Sequence, residues 1–186
     1  LTGSVQGLRI GVDERLSSLD VCHEDVATRM QDALGVLRGL GAQVVPIELP
    51  HYEELSTVAT LVMCSEAFAY HRSQLQSHWD RYGAGTRASL LLGALTGSAD
   101  YIQAQRVRRV VASEVADLFS RVDVIATPTT LTHAPPVEGL DLGRIVALIT
   151  PPYWSALGAP AVSFPIGLSS EGLPLGLQVA GAPFAD

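Results

Sequence analysis

The sequence has 186 residues, 47% of them apolar and 17% charged; that balance excludes a disordered chain and suffices for one domain with a sizeable core. Twelve basic and 19 acidic side chains leave a net charge of −7, so neither nucleic acid nor an anionic membrane surface is an expected partner. Every basic residue is an arginine, so no chemistry that needs a lysine can be complete within this chain.

Leu8–Val12 reads as a short buried strand. Ser17, Ser18 or Asp20 then stands where a helix cap belongs, and Val26, Met30, Ala33, Leu34, Leu37 and Leu40 recur as one apolar stripe. Gly41 ends that helix, and Val44–Ile47 resumes the strand pattern. Strand, helix and strand in under fifty residues predict a βαβ unit with two parallel strands. Helical spacing returns from Glu53 to about His78, breaks at Gly83-Ala84-Gly85, and resumes from Thr86 to Leu95. A long helix capped by Ser98 or Asp100 runs to about Phe119. Val122–Thr127 is a strand ended by Pro128 and expected in the same sheet as the first two. After a loop over residues 129–141, Ala161–Phe164 and Leu175–Val179 predict a hairpin about the turn Ser169–Gly172. The class is α/β. No repeat and no interior linker stands out, which reads as one domain.

Two cysteines, Cys22 and Cys64, are too few for a disulfide framework and read as buried thiols. No apolar run is long enough for a membrane span, and Leu1–Gly7 lacks the regions of a signal peptide, so a cytoplasmic location is expected. Phosphate loops, H-E-x-x-H, C-x-x-C and G-x-S-x-G are all missing. Cys64, His71 and His78 share a helix face at seven-residue spacing. That spacing separates neighbours by about 10.5 Å along the axis, whereas zinc holds its ligands within about 2.3 Å. The reading is therefore histidines partnered in or near the core; no metal and no cofactor is expected.

Thr127-Pro128-Thr129-Thr130 leaves the carboxyl end of a parallel strand, where α/β sheets bind ligands. Its hydroxyls either contact a substrate or bond the local backbone in a rigid turn. Arg106, Arg108 and Arg109 form a solvated face, or Arg108 points inward to an anionic group. Tyr153-Trp154-Ser155 sits in a Pro/Gly-rich loop, either lining a pocket or packing beneath the loop.

Several segments together resemble the amidase signature family. Glu66-Ala67 with His71 resembles its E-A-x-x-x-H, and Tyr101, Ala104 and Arg108 its Y-x-x-A-x-x-x-R. Asp123–Thr129 and Ala134-Pro135 are similar to its D-V-(apolar)-x-x-P-T and following A-P. Gly158–Gly167 resembles G-x-P-A-x-S-x-P-x-G, Gly172–Gln178 resembles G-L-P-x-G-L-Q, and Gly7–Gly11 resembles the entry to this half. Six such motifs in order span nearly the whole chain.

The resemblance implies a mixed β-sheet core packed with helices and an enzyme that cleaves carboxylic amides through an acyl-enzyme, using a Ser–Ser–Lys triad. The family's lysine-bearing and Gly/Ser-rich segments do not occur here, so no catalytic residue is expected in the chain. Residues 1–186 are then the carboxyl-terminal portion of the domain, incomplete at both ends, with Phe184-Ala185-Asp186 resembling the approach to the last helix. The implied partners are a small-molecule amide substrate and the amino-terminal half of the same enzyme; a homodimer is left open. Thr127, Thr129, Trp154, Ser155 and Arg108 are the expected substrate wall. Where many relatives carry P-F-N, this chain has Tyr153-Trp154-Ser155. Ala147 and Leu148 stand where glutamine-using amidotransferases carry an acidic residue, which favours a general amidase. The alternative is a non-catalytic α/β binding or regulatory domain.

Overall fold

A computed structural model describes residues 3–140 and 142–184, so Leu1, Thr2, Asp141 and the end of the closing motif at Ala185-Asp186 lie outside the described residues. The chain divides into two compact units, one of residues 1–50 and 114–186 and the other of residues 51–113. The sequence reads as one domain because the second passage between units falls inside a helix, where no Gly/Pro linker marks it.

The first unit is built on five strands: β1 (Arg9–Val12), β2 (Gln43–Pro46), β3 (Val124–Pro128), β4 (Ala161–Leu168) and β5 (Pro174–Ala180), in the order β2-β1-β3-β5-β4. The first two run parallel, with Ile10 opposite Val44, and β3 is parallel to β1, with Gly11 opposite Ile125. All three predicted strands therefore share one sheet. β4 and β5 form the predicted antiparallel hairpin, and β5 also pairs antiparallel with β3, so the sheet is mixed.

Helix α1 (Glu24–Gly39) lays Val26, Met30 and Leu34 against the sheet, each essentially buried. Met30 and Leu34 meet Ile10, Val12, Ala126 and Leu177 there. Burial of that kind stabilises by about 1.5–3 kcal/mol per large side chain. The cap differs from the sequence expectation. Asp13 caps a 3-10 turn, Glu14–Ser17, which uses up the polar stretch, and α1 starts only after His23, whose Nδ1 accepts from Asp25 N. Gly41, at φ 92°, follows the helix as predicted.

The second unit contains α2 (Tyr52–His78) and α3 (Ala84–Leu95). Gly83 caps α3, so the helix begins inside the stretch read as a break. Gly93 lets the two helices touch, since a Cβ there would collide with the carbonyl of Cys64 and lie 2.9 Å from the Phe68 Cβ. Helix α4 (Ser98–Phe119) begins in this unit and leads back to β3.

Candidate functional site

β3 is buried from Ile125 onward and delivers Thr127, Pro128 and Thr129 at the carboxyl end of the parallel strands, where a ligand site was expected. The structure fills much of this end with its own chain. Residues 142–146 form a short helix, α5 (Leu142–Val146), and Pro151–Leu157 form α6 rather than the loop read from the sequence. Prolines 151 and 152 fit because the first turn of a helix has no intrahelical use for its N–H groups.

Thr150, just before α6, ties it to the strand. Its Oγ1 lies 2.6 Å from the Pro128 carbonyl, 3.0 Å from the Gln178 Oε1 and 3.3 Å from the Thr129 carbonyl. A hydroxyl has one proton to give, and the shortest contact, to Pro128, takes it. The backbone agrees, since Thr150 N donates to Thr129 O and Leu131 N to Leu148 O. Thr127 is buried beneath this junction, with its hydroxyl 3.5 Å from that of Thr150.

Tyr153 and Trp154 are fully buried, with their rings edge to face at 5.1 Å, and the Tyr153 hydroxyl donates to the Pro50 carbonyl just beyond β2. In this chain, then, Trp154 is packing beneath α6, while Ser155 on the next position is exposed. Trp154, Ser155 and the Thr127–Thr130 turn lie at the same end of the sheet, joined through Thr150.

The accessible hydroxyls lie one step over. Thr129 Oγ1 and Ser163 Oγ are 2.6 Å apart, bridging the exit of β3 to the edge strand β4. Gly176 on β5 passes between them; a Cβ there would stand 2.8 Å from the Ser163 Oγ and 2.9 Å from the Thr129 Oγ1. Ser163, Gly176, Gln178 and Thr150 were not among the site residues read from the sequence. Three of them lie inside the glycine- and proline-rich motifs, but their convergence across three strands has no periodic signature.

Beside β1, Asp13 is a buried carboxylate. Leu49 N donates to its Oδ2 at 2.9 Å, and the Arg15 backbone and guanidinium donate at 2.6–3.1 Å. Burial raises its pKa, but these donors outweigh it and hold the carboxyl below its ordinary range. It clasps the exits of β1 and β2.

In the second unit the two helical motifs meet. Tyr101 donates to Glu66 Oε1 at 2.9 Å, Gln105 Nε2 donates to the Tyr101 hydroxyl at 2.9 Å, and Arg108 Nη1 donates to Gln105 Oε1 at 3.2 Å. Arg108 is thus half-buried within a polar chain of its own unit. His71 contacts the Tyr82 hydroxyl at 3.1 Å, and Cys64 is buried with its thiol pKa raised by desolvation. Among the described residues no cluster of three metal-ligating side chains occurs.

Nothing described forms a hydrolytic triad. Ser77 and His78 touch at 2.8 Å as sequence neighbours at the exposed end of α2. Elsewhere Asp25 stands between Ser170 and His23. Neither arrangement puts an imidazole between a serine and a carboxylate. No helix among the described residues is long and apolar enough to cross a membrane.

Comparison with known proteins agrees with this geometry. The family model described as Amidase matches residues 1–186. The chain is 34% identical over 178 residues to an amidase of Pseudomonas putida, covering 91% of this chain and 38% of that protein. It is 31% identical over 216 residues to one subunit of the glutamyl-tRNA(Gln) amidotransferase of Dehalococcoides mccartyi, covering all of this chain and 44% of that protein. A crystal structure of an amidase superposes with a TM-score of 0.84 at 28% identity, over 98% of this chain and 43% of the other. The chain thus spans between a third and a half of the length of these proteins, and it belongs to the amidase (amidase signature) family.

Proposed function

We propose that this chain is the scaffold and substrate-wall portion of an amidase that hydrolyses carboxylic amides through an acyl-enzyme, with a Ser–Ser–Lys triad carried by an amino-terminal portion. The observation that carries the reading is the absence of lysine from all 186 residues of a chain belonging to a family of amide hydrolases. Acyl transfer needs a nucleophile, a base to take its proton, and donors for the oxyanion. Arginine stays protonated at any working pH and cannot be that base.

The substrate wall in this reading is the Thr127–Thr129 turn with Ser155. Trp154 stands behind it as its rigid backing. Ala147 and Leu148, in place of an acidic side chain, support a general amidase over a glutamine-dependent amidotransferase. Two buried free thiols suit a reducing, cytoplasmic setting.

The edge strand β4 supports a partner segment: it is eight residues long, uncharged and exposed over most of its length. The test is to assay residues 1–186 against aryl and aliphatic amides, alone and with the amino-terminal portion added. Activity only in the mixture is expected. Turnover by the chain alone, abolished by changing one of its own serines, overturns the reading. A stable complex with no turnover favours the binding-domain alternative.

A further inference from the structure

A cleft of about 270 Å3 lies within the helical unit, lined by Phe68, Arg72, Leu75, Gln76, Trp79, Leu90 and Leu91. Its origin is helical geometry. Phe68, Arg72, Leu75 and Gln76 are spaced to fall on one face at the end of α2, with Trp79 opening the 3-10 turn just beyond it, and Leu90 and Leu91 come from α3. The two helices touch where Gly93 meets Cys64, and the cleft lies toward the connecting turn from that contact. Its walls are mostly aliphatic and aromatic, with one cation. The Arg72 side chain is exposed and makes no hydrogen bond or ion pair among the described residues. A second guanidinium, that of Arg87, stacks 5.5 Å from the centre of the Trp79 ring, and its Nε is buried without a hydrogen-bond partner.

Apolar walls beside a free guanidinium select a ligand with an apolar body and an anionic head. Guanidinium is planar and matches a carboxylate with two parallel donors. The volume is just below the ~300 Å3 at which drug-sized sites begin, so the ligand is small. We propose that this cleft binds a small amphipathic carboxylate, such as an arylcarboxylate or medium-chain fatty acid. The tail lies between Phe68, Leu75, Trp79 and Leu90, and the head on Arg72. The Arg87 cation over the Trp79 ring adds positive potential at that wall. The site lies wholly in the helical unit and is independent of the proposed hydrolysis.

The chain has two tryptophans, and Trp154 is buried in the sheet unit, so ligand-dependent fluorescence isolates Trp79. Titrate residues 1–186 with benzoate and octanoate, and with benzyl alcohol and octanol as neutral counterparts, and follow Trp emission and calorimetric heat. The acids are expected to bind about 3- to 5-fold tighter than the alcohols, the preference that an ion pair on an exposed guanidinium supplies. Arg72→Gln, on an exposed position, should fold normally and abolish that preference while alcohol binding stays. Trp79→Phe should remove the emission change and keep the heat. Equal affinity for acids and alcohols, an unchanged preference in Arg72→Gln, an emission change that survives Trp79→Phe, or no heat with any of the four compounds each overturns the assignment.

Discussion

Replacing Asp13 with alanine tests whether the clasp at the strand exits holds the sheet unit together. The carboxylate side chain is 1% exposed and that of Arg15 is 55% exposed. The pair therefore counts as a half-screened ion pair, contributing about 0–1 kcal/mol. The Leu49 N–H is different: its contact with Asp13 is buried, and leaving such a donor unpaired costs about 1–3 kcal/mol. Together the loss is about 1–4 kcal/mol, or roughly 2–16 °C in Tm for a chain of this size. Asp13→Asn keeps one acceptor oxygen and should lose about half as much. The folded pKa is depressed, so the carboxylate's contribution is fully present above the unfolded value of about 3.9 and disappears as pH falls through the lower folded value. Urea unfolding at pH 7 and at stepped pH down to 2.5 should show the gap between wild type and Asp13→Asn closing below about pH 4. A loss in Asp13→Ala below about 0.5 kcal/mol, the level of a featureless surface change, would refute the argument.

Two further substitutions probe the strand-end junction. Thr150→Val keeps the shape but removes the proton given to Pro128, leaving that buried carbonyl unpaired; a loss of about 1–3 kcal/mol in urea unfolding is expected. Gly176→Ala drives a methyl against the Ser163 and Thr129 hydroxyls and should cost about 1–3 kcal/mol. Adding Ser163→Ala should recover part of that, so additive losses in the double variant would count against the contact.

Where local sequence decided the structure, the sequence was readable. β1, β2, β3 and the hairpin β4–β5 are short apolar runs bracketed by Gly, Pro or polar turns; the parallel pairing of β1 and β2 follows from the crossover rule and that of β4 and β5 from their turn, whereas the antiparallel pairing of β5 with β3 had no local signal. α1 was legible from its stripe, but its cap was not, because Asp13 folds the polar stretch into a 3-10 turn first. α6 escaped because seven residues opening on two prolines carry no helical period. The strand-end rule led to Thr127 and Thr129. It could not tell that Thr127 is turned into the core by Thr150, 23 residues later, or that Thr129 meets Ser163, 34 residues away. Ser163 was marked only by motif resemblance and Thr150 by nothing, with no physical reason attached until the strands were side by side.

The two edges of the sheet are finished differently, and that difference carries a test of the proposed partner. β2 is four residues long and ends at Pro46, a blunt edge. β4 has eight residues without a charge, and Val162, Phe164 and Leu168 are each about half exposed. Its protection sits at the far end, where the register shifts between Pro165 and Gly167 and Arg29 Nε donates to the Leu168 carbonyl. Ala161–Phe164 is left without such a device, and Val162 pairs only inward, with Val179. A lysine at 162 is the device natural edges use to refuse a further strand. Val162→Lys should therefore change the stability of residues 1–186 by no more than about 0.5 kcal/mol, since the position is 51% exposed. It should weaken association with the amino-terminal portion at least ~10-fold in calorimetry, because a strand pairing there would have to desolvate the ammonium. Wild-type affinity in Val162→Lys would show that the partner does not add to the sheet at β4, and the exposed apolar strand would then have to be explained by contact between copies of the chain, visible as a concentration-dependent dimer in light scattering.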